Sequence, residues 1–400
     1  MSAAGRSLVW LAAAAIPACL PAIAFGQSET RISADASANV GYSSNPFSDV
    51  GTDTGSGVAQ IRVSPKIKIL TERTILILSG DVDYQRYFRR YTDSADFGTG
   101  VDYAATPSER LKTHLNLRFD SAIVGRNQFS NGPIDPNLPV PPVLAGTDIA
   151  LFGTHGRRRT FRANGDVSYT LSARDSLSAG AYYVRSRYSQ SGGVAALNDY
   201  DGFGGSAGYN RAVSAHLQLG AQASVARYQY TSGLSNTTVY SAQGVFVDVL
   251  SPHWTASGAL GVSFTTGRIG GNKATLSGNL RLCRATDRTS LCLTASRAVL
   301  PTGFAGTQTE TAVGLDYSYR LSERSRVFAS VSYSKNGNSQ LLVLGQNEYL
   351  RTSAGYDHQL TQRVSLVATA RYAKIYGGLL NRRADTGGLL GVAVKVGALK

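Results

Sequence analysis

Eight short polar turns punctuate this chain, at residues 70–73, 106–110, 171–175, 211–215, 250–253, 285–288, 321–324 and 360–363. Most carry Ser or Thr near the start and Arg or His near the end. They recur about every 35–40 residues, with one step stretched to about 65. A period of that length holds two strands of about ten residues each, a tight turn and a longer loop, which is the unit of a transmembrane β-barrel. A chain built this way has few other ways to fold.

The residues between the turns alternate. Leu111, Thr113, Leu115, Leu117 and Phe119 fall on one face, and Lys112, His114, Asn116, Arg118 and Asp120 on the other. The same period of two runs from Trp254 to Phe264, from Thr309 to Tyr319, from Ile61 to Ile69 and from Leu276 to Leu282. A soluble β-sandwich also alternates, but strands this long exceed the usual globular length. Aromatics cluster toward strand ends (Tyr84, Tyr87, Phe88, Tyr91; Tyr182, Tyr183, Tyr188; Tyr228, Tyr230; Tyr372, Tyr376), as in a membrane-interface girdle. One strand on each side of every turn, plus a first from Arg31 to Tyr42 and a last from Thr386 to Val396, predicts an all-β, antiparallel up-and-down barrel of about 18 strands. Sixteen is the alternative if the end segments do not count.

Residues 1–26 read as a signal peptide, with Arg6, the apolar run from Leu8 to Ile16, and a small-x-small site ending at Ala24 or Gly26. The barrel then occupies 27–400, in the bacterial outer membrane. Cys19 raises a lipoprotein reading, which Pro17 disfavours. Cys283 and Cys292 sit symmetrically about the turn at Asp287-Arg288. In a hairpin of that register they face each other, either as a possible disulfide or as two reduced thiols.

The longest interruption, 125–156, contains Pro133, Pro136, Pro139, Pro141 and Pro142 and cannot be strand interior. It is a loop that either folds into the barrel as a constriction or stands outside it. The formal net charge of the chain is +14, and of its basic residues only Arg6 lies in the leader. Charge facing lipid is costly. Alternation therefore assigns Lys112, Arg118, Arg162, Arg281, Arg351 and Arg371 to a lumen that would favour anions. Arg185 and Arg187 belong near a rim; Arg86, Arg89, Arg90 and the run Arg157-Arg158-Arg159 belong at strand ends or loop bases. Structural Arg–carboxylate ladders and binding of lipid phosphates are the competing readings of the same charge.

Catalytic patterns are lacking. The five histidines, His114, His155, His216, His253 and His358, show no metal-ligand or nucleophile–base spacing. No phosphate-binding glycine loop opens a helix. The chain is read as a non-enzyme with no cofactor and no metal, and with no nucleic acid as partner.

One short stretch resembles a known family. Gly41-Tyr42-Ser43-Ser44-Asn45-Pro46-Phe47, with Tyr42, Asn45, Pro46 and Phe47 as its markers, is similar to the outer-membrane β-barrels encoded with exopolysaccharide (gellan- or sphingan-type) export systems. The resemblance implies export of an anionic polysaccharide through a basic lumen, with a periplasmic export partner. An anion-selective or general diffusion porin for small anions is the alternative, and a non-conducting structural or assembly barrel is a third. The chain ends Val396-Gly397-Ala398-Leu399-Lys400, without the terminal aromatic many such barrels carry.

Overall fold

The computed structural model describes residues 28–127, 148–189, 197–231, 236–267, 272–304, 306–337, 347–377 and 382–397. The leader, Cys19, the five prolines at 133–142 and residues 398–400 lie outside them. Eighteen strands follow in chain order: β1 Glu29–Ser43, β2 Ser56–Leu70, β3 Thr74–Tyr87, β4 Ser94–Ser108, β5 Leu111–Ile123, β6 Arg157–Thr170, β7 Asp175–Ser189, β8 Tyr200–Ala212 and β9 Leu217–Tyr230. They continue as β10 Thr237–Ser251, β11 Trp254–Gly267, β12 Lys273–Ala285, β13 Thr289–Pro301, β14 Thr307–Arg320, β15 Ser325–Asn336, β16 Asn347–Gln359, β17 Val364–Gly377 and β18 Asp385–Gly397. Each pairs antiparallel with its sequence neighbours, and β1 pairs with β18, so the sheet closes. Closure leaves no strand edge and satisfies the ladder internally, which a bilayer demands. Eighteen strands, not sixteen, is the count. The described ends, Glu29 on β1 and Gly397 on β18, lie at the short-turn end.

The turn repeat has a physical cause. In seven of the turns a Ser or Thr hydroxyl accepts the backbone N–H three residues on. Thr71 accepts from Thr74 at 3.0 Å, Ser172 from Asp175 at 3.1 Å, Ser214 from Leu217 at 3.1 Å, Thr286 from Thr289 at 3.0 Å and Thr361 from Val364 at 3.1 Å. Ser108 and Ser251 do the same in the two proline-containing turns. Those two are also where the ladder shifts register, at Ala105/Ser108 and Val249/Ser251. Pro107 and Pro252 have no N–H to give. In the remaining turn Ser322 accepts from Arg324 at 3.3 Å.

Alternation sorts the strands between two solvents. Ile32, Leu260 and Leu390 are 63%, 65% and 63% exposed, and large apolar side chains such as Val40, Ile61, Val82, Val262 and Leu276 stand exposed with them around the wall. A soluble protein does not display a continuous belt of that kind. The opposite face of the same strands carries Ser, Gln, Asn, Asp, Lys and Arg toward the lumen. An apolar exterior, a polar interior and a closed antiparallel ladder make this a bacterial outer-membrane β-barrel. With short turns periplasmic, the long-loop end is extracellular.

Pro65 sits within β2, where the β2–β3 ladder is interrupted between Val63 and Lys66. Gly80 lies beside it, with Pro65 Cγ 3.2 Å from where a Cβ would stand. A side chain there would crowd the ring.

Candidate functional site

The lumen is the candidate site, and its extracellular mouth is where sequence and structure differ most. Residues 44–48 and 302–304, Arg382 and both described flanks of the 125–156 loop fold inward. The second flank forms a single 3-10 turn at Ile149–Leu151. Ile149 and Phe152 pack against Tyr349, Ala373 and Ile375 on β16 and β17, well across the ring from β5 and β6, where this loop is rooted. Leu151 packs with Val124 and Phe304. The Asp148 carboxylate accepts the Gly303 N–H at 3.0 Å, and Arg382 donates to the Phe152 carbonyl at 2.6 Å. These contacts make residues 148–154 a cross-piece over the mouth. Burial depresses the proton affinity of Arg382, against the opposing pull of Asp49.

The two limbs of this loop meet closely. Gly125 has φ +73°, and a Cβ there would lie 2.2 Å from the Leu151 carbonyl oxygen. Only glycine fits both the backbone conformation and the approach.

A polar hub lies beneath the cross-piece. Arg371 donates to Asp385 through Nε (2.9 Å), to Ser43 Oγ through Nη2 (2.9 Å) and to the Asn127 carbonyl through Nη1 (2.6 Å). Asp385, fully buried, also accepts from Ser43 Oγ at 2.7 Å and from the Asn45 N–H at 2.9 Å. Asn127 donates to the Asn45 carbonyl at 3.2 Å and accepts from Tyr349 at 2.8 Å. Arg126 pairs with Asp96 and donates to Ser94 at 2.7 Å. One buried network thus ties the first, third and last long loops to β4, β16 and β17.

The short motif belongs to this network. Asn45 is fully buried; its side chain accepts the Asp49 N–H at 2.8 Å and donates to the Asp49 and Arg383 carbonyls. Phe47 is buried among Val58, Tyr87 and Leu389, and its ring lies 4.9 Å from Tyr91 and 4.4 Å from His155. Burial and the neighbouring Asp49 push the Tyr91 hydroxyl above its ordinary range. Tyr42 points outward. Asn45, Pro46 and Phe47 anchor a loop inside the mouth.

The ladder register puts all six basic candidates on the lumen face, but it does not gather them into one ring. Arg118 and Arg162 are cross-strand partners on β5 and β6, with Lys112 nearer the periplasm. Arg281 stands on β12 and Arg351 on β16. Arg371 requires a correction as a pathway residue: its side chain is 2% exposed and is held in the hub. Arg118 is held between Asp81 (2.9 Å) and Asp120 (2.8 Å), so its charge is locally balanced. Lys112 and Arg162 make no ion pair among the described residues. His114 also joins carboxylates, with Nε2 2.9 Å from Asp102 and Nδ1 3.1 Å from Asp166.

The wall from β2 to β6 is therefore charged with both signs. The wall from β8 to β11 is neutral and rich in hydroxyl and amide groups, up to Arg281 on β12. Ser263 Oγ lies 2.8 Å from both Ser241 and Ser277, and Gln243 donates to Ser277 at 3.2 Å. Cys283 and Cys292 are register partners, and their sulfurs are bonded at 2.13 Å; Arg281 Nε donates to Cys283 Sγ at 3.1 Å.

Two further expectations need correcting. Tyr87, Tyr182, Tyr188, Tyr228 and Tyr230 are not part of an interfacial girdle. They face inward, and Tyr230 donates to the Thr302 carbonyl at 3.2 Å, holding the 302–306 loop down. Tyr84, Phe88, Tyr183 and Tyr376 do face outward. Nor do all charges avoid the outer face: Arg159, Arg185, Arg187 and Arg227 share it with Tyr183 and Phe203, near the extracellular ends of their strands. At headgroup depth the exclusion of charge relaxes.

A serine–histidine contact exists on β15 and β16: Ser325 Oγ is 2.8 Å from His358 Nδ1, with the Tyr356 hydroxyl 3.2 Å from the same serine oxygen. It lies at the periplasmic turn, and among the described residues no carboxylate engages the other ring nitrogen. A nucleophile–base pair needs such an orienting group.

No protein-family model matches the chain, and no curated protein matches it. Among solved structures it is similar to Pseudomonas aeruginosa OpdQ (10% identity, TM-score 0.45, covering 92% of this chain and 99% of that one). It is also similar to Pseudomonas aeruginosa OccK2 (OpdF), at 10% identity and TM-score 0.48, covering 93% and 99%. The ferric citrate transporter FecA in its unliganded form aligns at 11% identity and TM-score 0.46, covering 90% of this chain and 63% of its own.

Proposed function

We propose that this barrel is a passive diffusion channel for small polar solutes, with a preference for anions. The observation that carries the reading is the cross-piece at 148–154. A mouth narrowed by inward-folded loops suits single small solutes better than a polymer chain. The neutral hydroxyl and amide wall beside a charged wall offers hydrogen bonds to hydrated solutes, and Lys112 and Arg162 supply positive charge that no carboxylate pairs among the described residues. Export of an anionic exopolysaccharide with a periplasmic partner rests on the Tyr42–Phe47 motif, whose inward residues are engaged in anchoring a loop.

The test is single-channel recording of the refolded barrel in planar bilayers, with the reversal potential read under a salt gradient. The expected result is a conducting pore whose reversal potential is displaced toward the anion limit. Replacing Lys112 and Arg162 together by Gln reduces that displacement by roughly half, as expected when charged groups lining the pore set its selectivity. A barrel that never conducts, or a selectivity indifferent to both substitutions, overturns the proposal. Loss of surface polymer in a deletion strain, with normal small-solute uptake, supports export instead.

A further inference from the structure

We infer that the extracellular half of the outer face over β6–β9 is a binding surface for a phosphate-bearing, multi-acyl glycolipid of the outer leaflet. The ladder gives the layout. Counting from the mouth, the first outward cross-strand row is Arg159 and Arg187. The next is Phe161, Arg185, Asp201 and Gln229, and the third is Ala163, Tyr183, Phe203 and Arg227. Four guanidinium groups thus stand on three adjacent rows at headgroup depth, with Arg157 just above. Asp201 pins Arg185 at 2.8 Å and Arg187 at 3.0 Å, fixing two forks side by side. Asp199 lies 3.7 Å from Arg187. Arg159 and Arg227 are exposed and make no ion pair among the described residues. The patch keeps net positive charge after its carboxylates are counted, and arginine forks match phosphate oxygens in pairs.

Below the arginines the outer wall is hollowed. Two further rows carry Ala179, Ala207, Ala223 and Ala242, then Ala221 and Gly244, where neighbouring strands carry Leu, Val and Tyr. These small residues, with Leu177, Tyr209 and Leu260 at the sides, line a mostly apolar groove of about 950 Å³ that is open to the side. Arg185 lies about 20 Å along the strands from this floor, at roughly 3.4 Å per residue. That distance suits an acyl chain whose headgroup rests on the arginines. A lipid with one charge and full-height tails gains from either feature alone; a phosphorylated, several-chained glycolipid uses both. Elsewhere on the outer face near the mouth, basic residues are more dispersed: Arg297 with Thr311, Lys335 with Glu348, and Lys374 over the Tyr376 ring.

The test uses the full folded barrel in detergent, titrated with bisphosphorylated lipid A, with its dephosphorylated form and with phosphatidylethanolamine. Binding is read by native mass spectrometry and by the temperature at which the folded, fast-migrating band is lost. The expected result is retention of lipid A and a raised transition temperature, with little effect of the two phosphate-poor probes. Arg159→Gln with Arg227→Gln should weaken apparent lipid A affinity about tenfold, while Lys374→Gln leaves it unchanged. Ala223→Phe, which fills the groove, should weaken it separately. Neither Arg159 nor Arg227 makes an ion pair among the described residues, and an unchanged folded, fast-migrating band without lipid confirms that the variants remain intact barrels. Equal stabilisation by dephosphorylated lipid, or affinity unchanged by the arginine pair, overturns the inference. So does a lipid-free oligomer that the Ala223→Phe variant dissociates, which would give this face to a second copy of the chain. Channel activity is measured independently, so its failure leaves this result readable.

Discussion

Arg371 and Asp385 carry the largest consequence of any single pair. Both side chains are buried, at 2% and 0% exposure, and each also bonds Ser43. Taking two charges out of water costs heavily, and the hub repays it only while every partner is present. Arg371→Leu leaves Asp385 charged and unpaired; its expected cost is about 3–5 kcal/mol, read as a lowered urea midpoint for the folded band. The double variant that also replaces Asp385 by Leu should recover part of the loss, because no buried charge then remains. Gly125 makes a different prediction. A methyl at φ +73°, 2.2 Å from the Leu151 carbonyl, must push the loop limbs apart. Gly125→Ala should therefore raise single-channel conductance while the barrel's strands remain assembled, as circular dichroism would show.

At the scale of elements, the β12–β13 hairpin is the informative one. Its turn is already set by Thr286, whose hydroxyl accepts the Thr289 N–H at 3.0 Å, and the Cys283–Cys292 bond closes a second, wider ring on the lumen face. A loop this short, cross-linked, is worth about 2–3 kcal/mol in the chain-entropy account. Replacing both cysteines by Ser should lower stability by no more than that. The wild type should lose the same amount under reductant, while the double variant shows no response to it. The inward-folded loops behave as elements too. Val124, Leu151 and Phe304 come from two different loops and meet over the lumen, so the mouth is packed like a small core.

The whole molecule is a partition between lipid and water. Leu260 on β11 and Asn279 on β12 lie at similar depth on opposite faces of the wall. Leu260→Arg puts a charge into hydrocarbon, at an expected cost of about 2–4 kcal/mol near the midplane. Asn279→Arg puts the same charge into the lumen and should cost far less, while shifting the reversal potential toward anions. Folding titrations into vesicles, run beside bilayer recordings, separate the two effects. If both variants folded equally well, the assignment of faces would be wrong.

The closed barrel, its strand number and the inward or outward sense of Lys112, Arg118, Arg162, Arg281 and Arg351 were all legible from residue order. Period-two alternation and turn spacing are local properties, and a closed antiparallel ladder between neighbours in sequence leaves register little freedom. The repeated Ser and Thr of the turns could be read the same way. The mouth could not. Nothing local distinguishes a tyrosine that packs inward under a loop, such as Tyr228, from one that meets lipid headgroups, such as Tyr183. The run Ile149-Ala150-Leu151-Phe152 is the one local signal, an unbroken apolar cluster in a proline-rich loop, and it does not say what the cluster packs against. Alternation puts Arg371 on the lumen face, yet its burial depends on Ser43, Asn127 and Asp385, hundreds of positions away in two cases. Local order specifies which way a side chain points; what it then meets depends on loops that cross the barrel, and those contacts exist only once the sheet has closed.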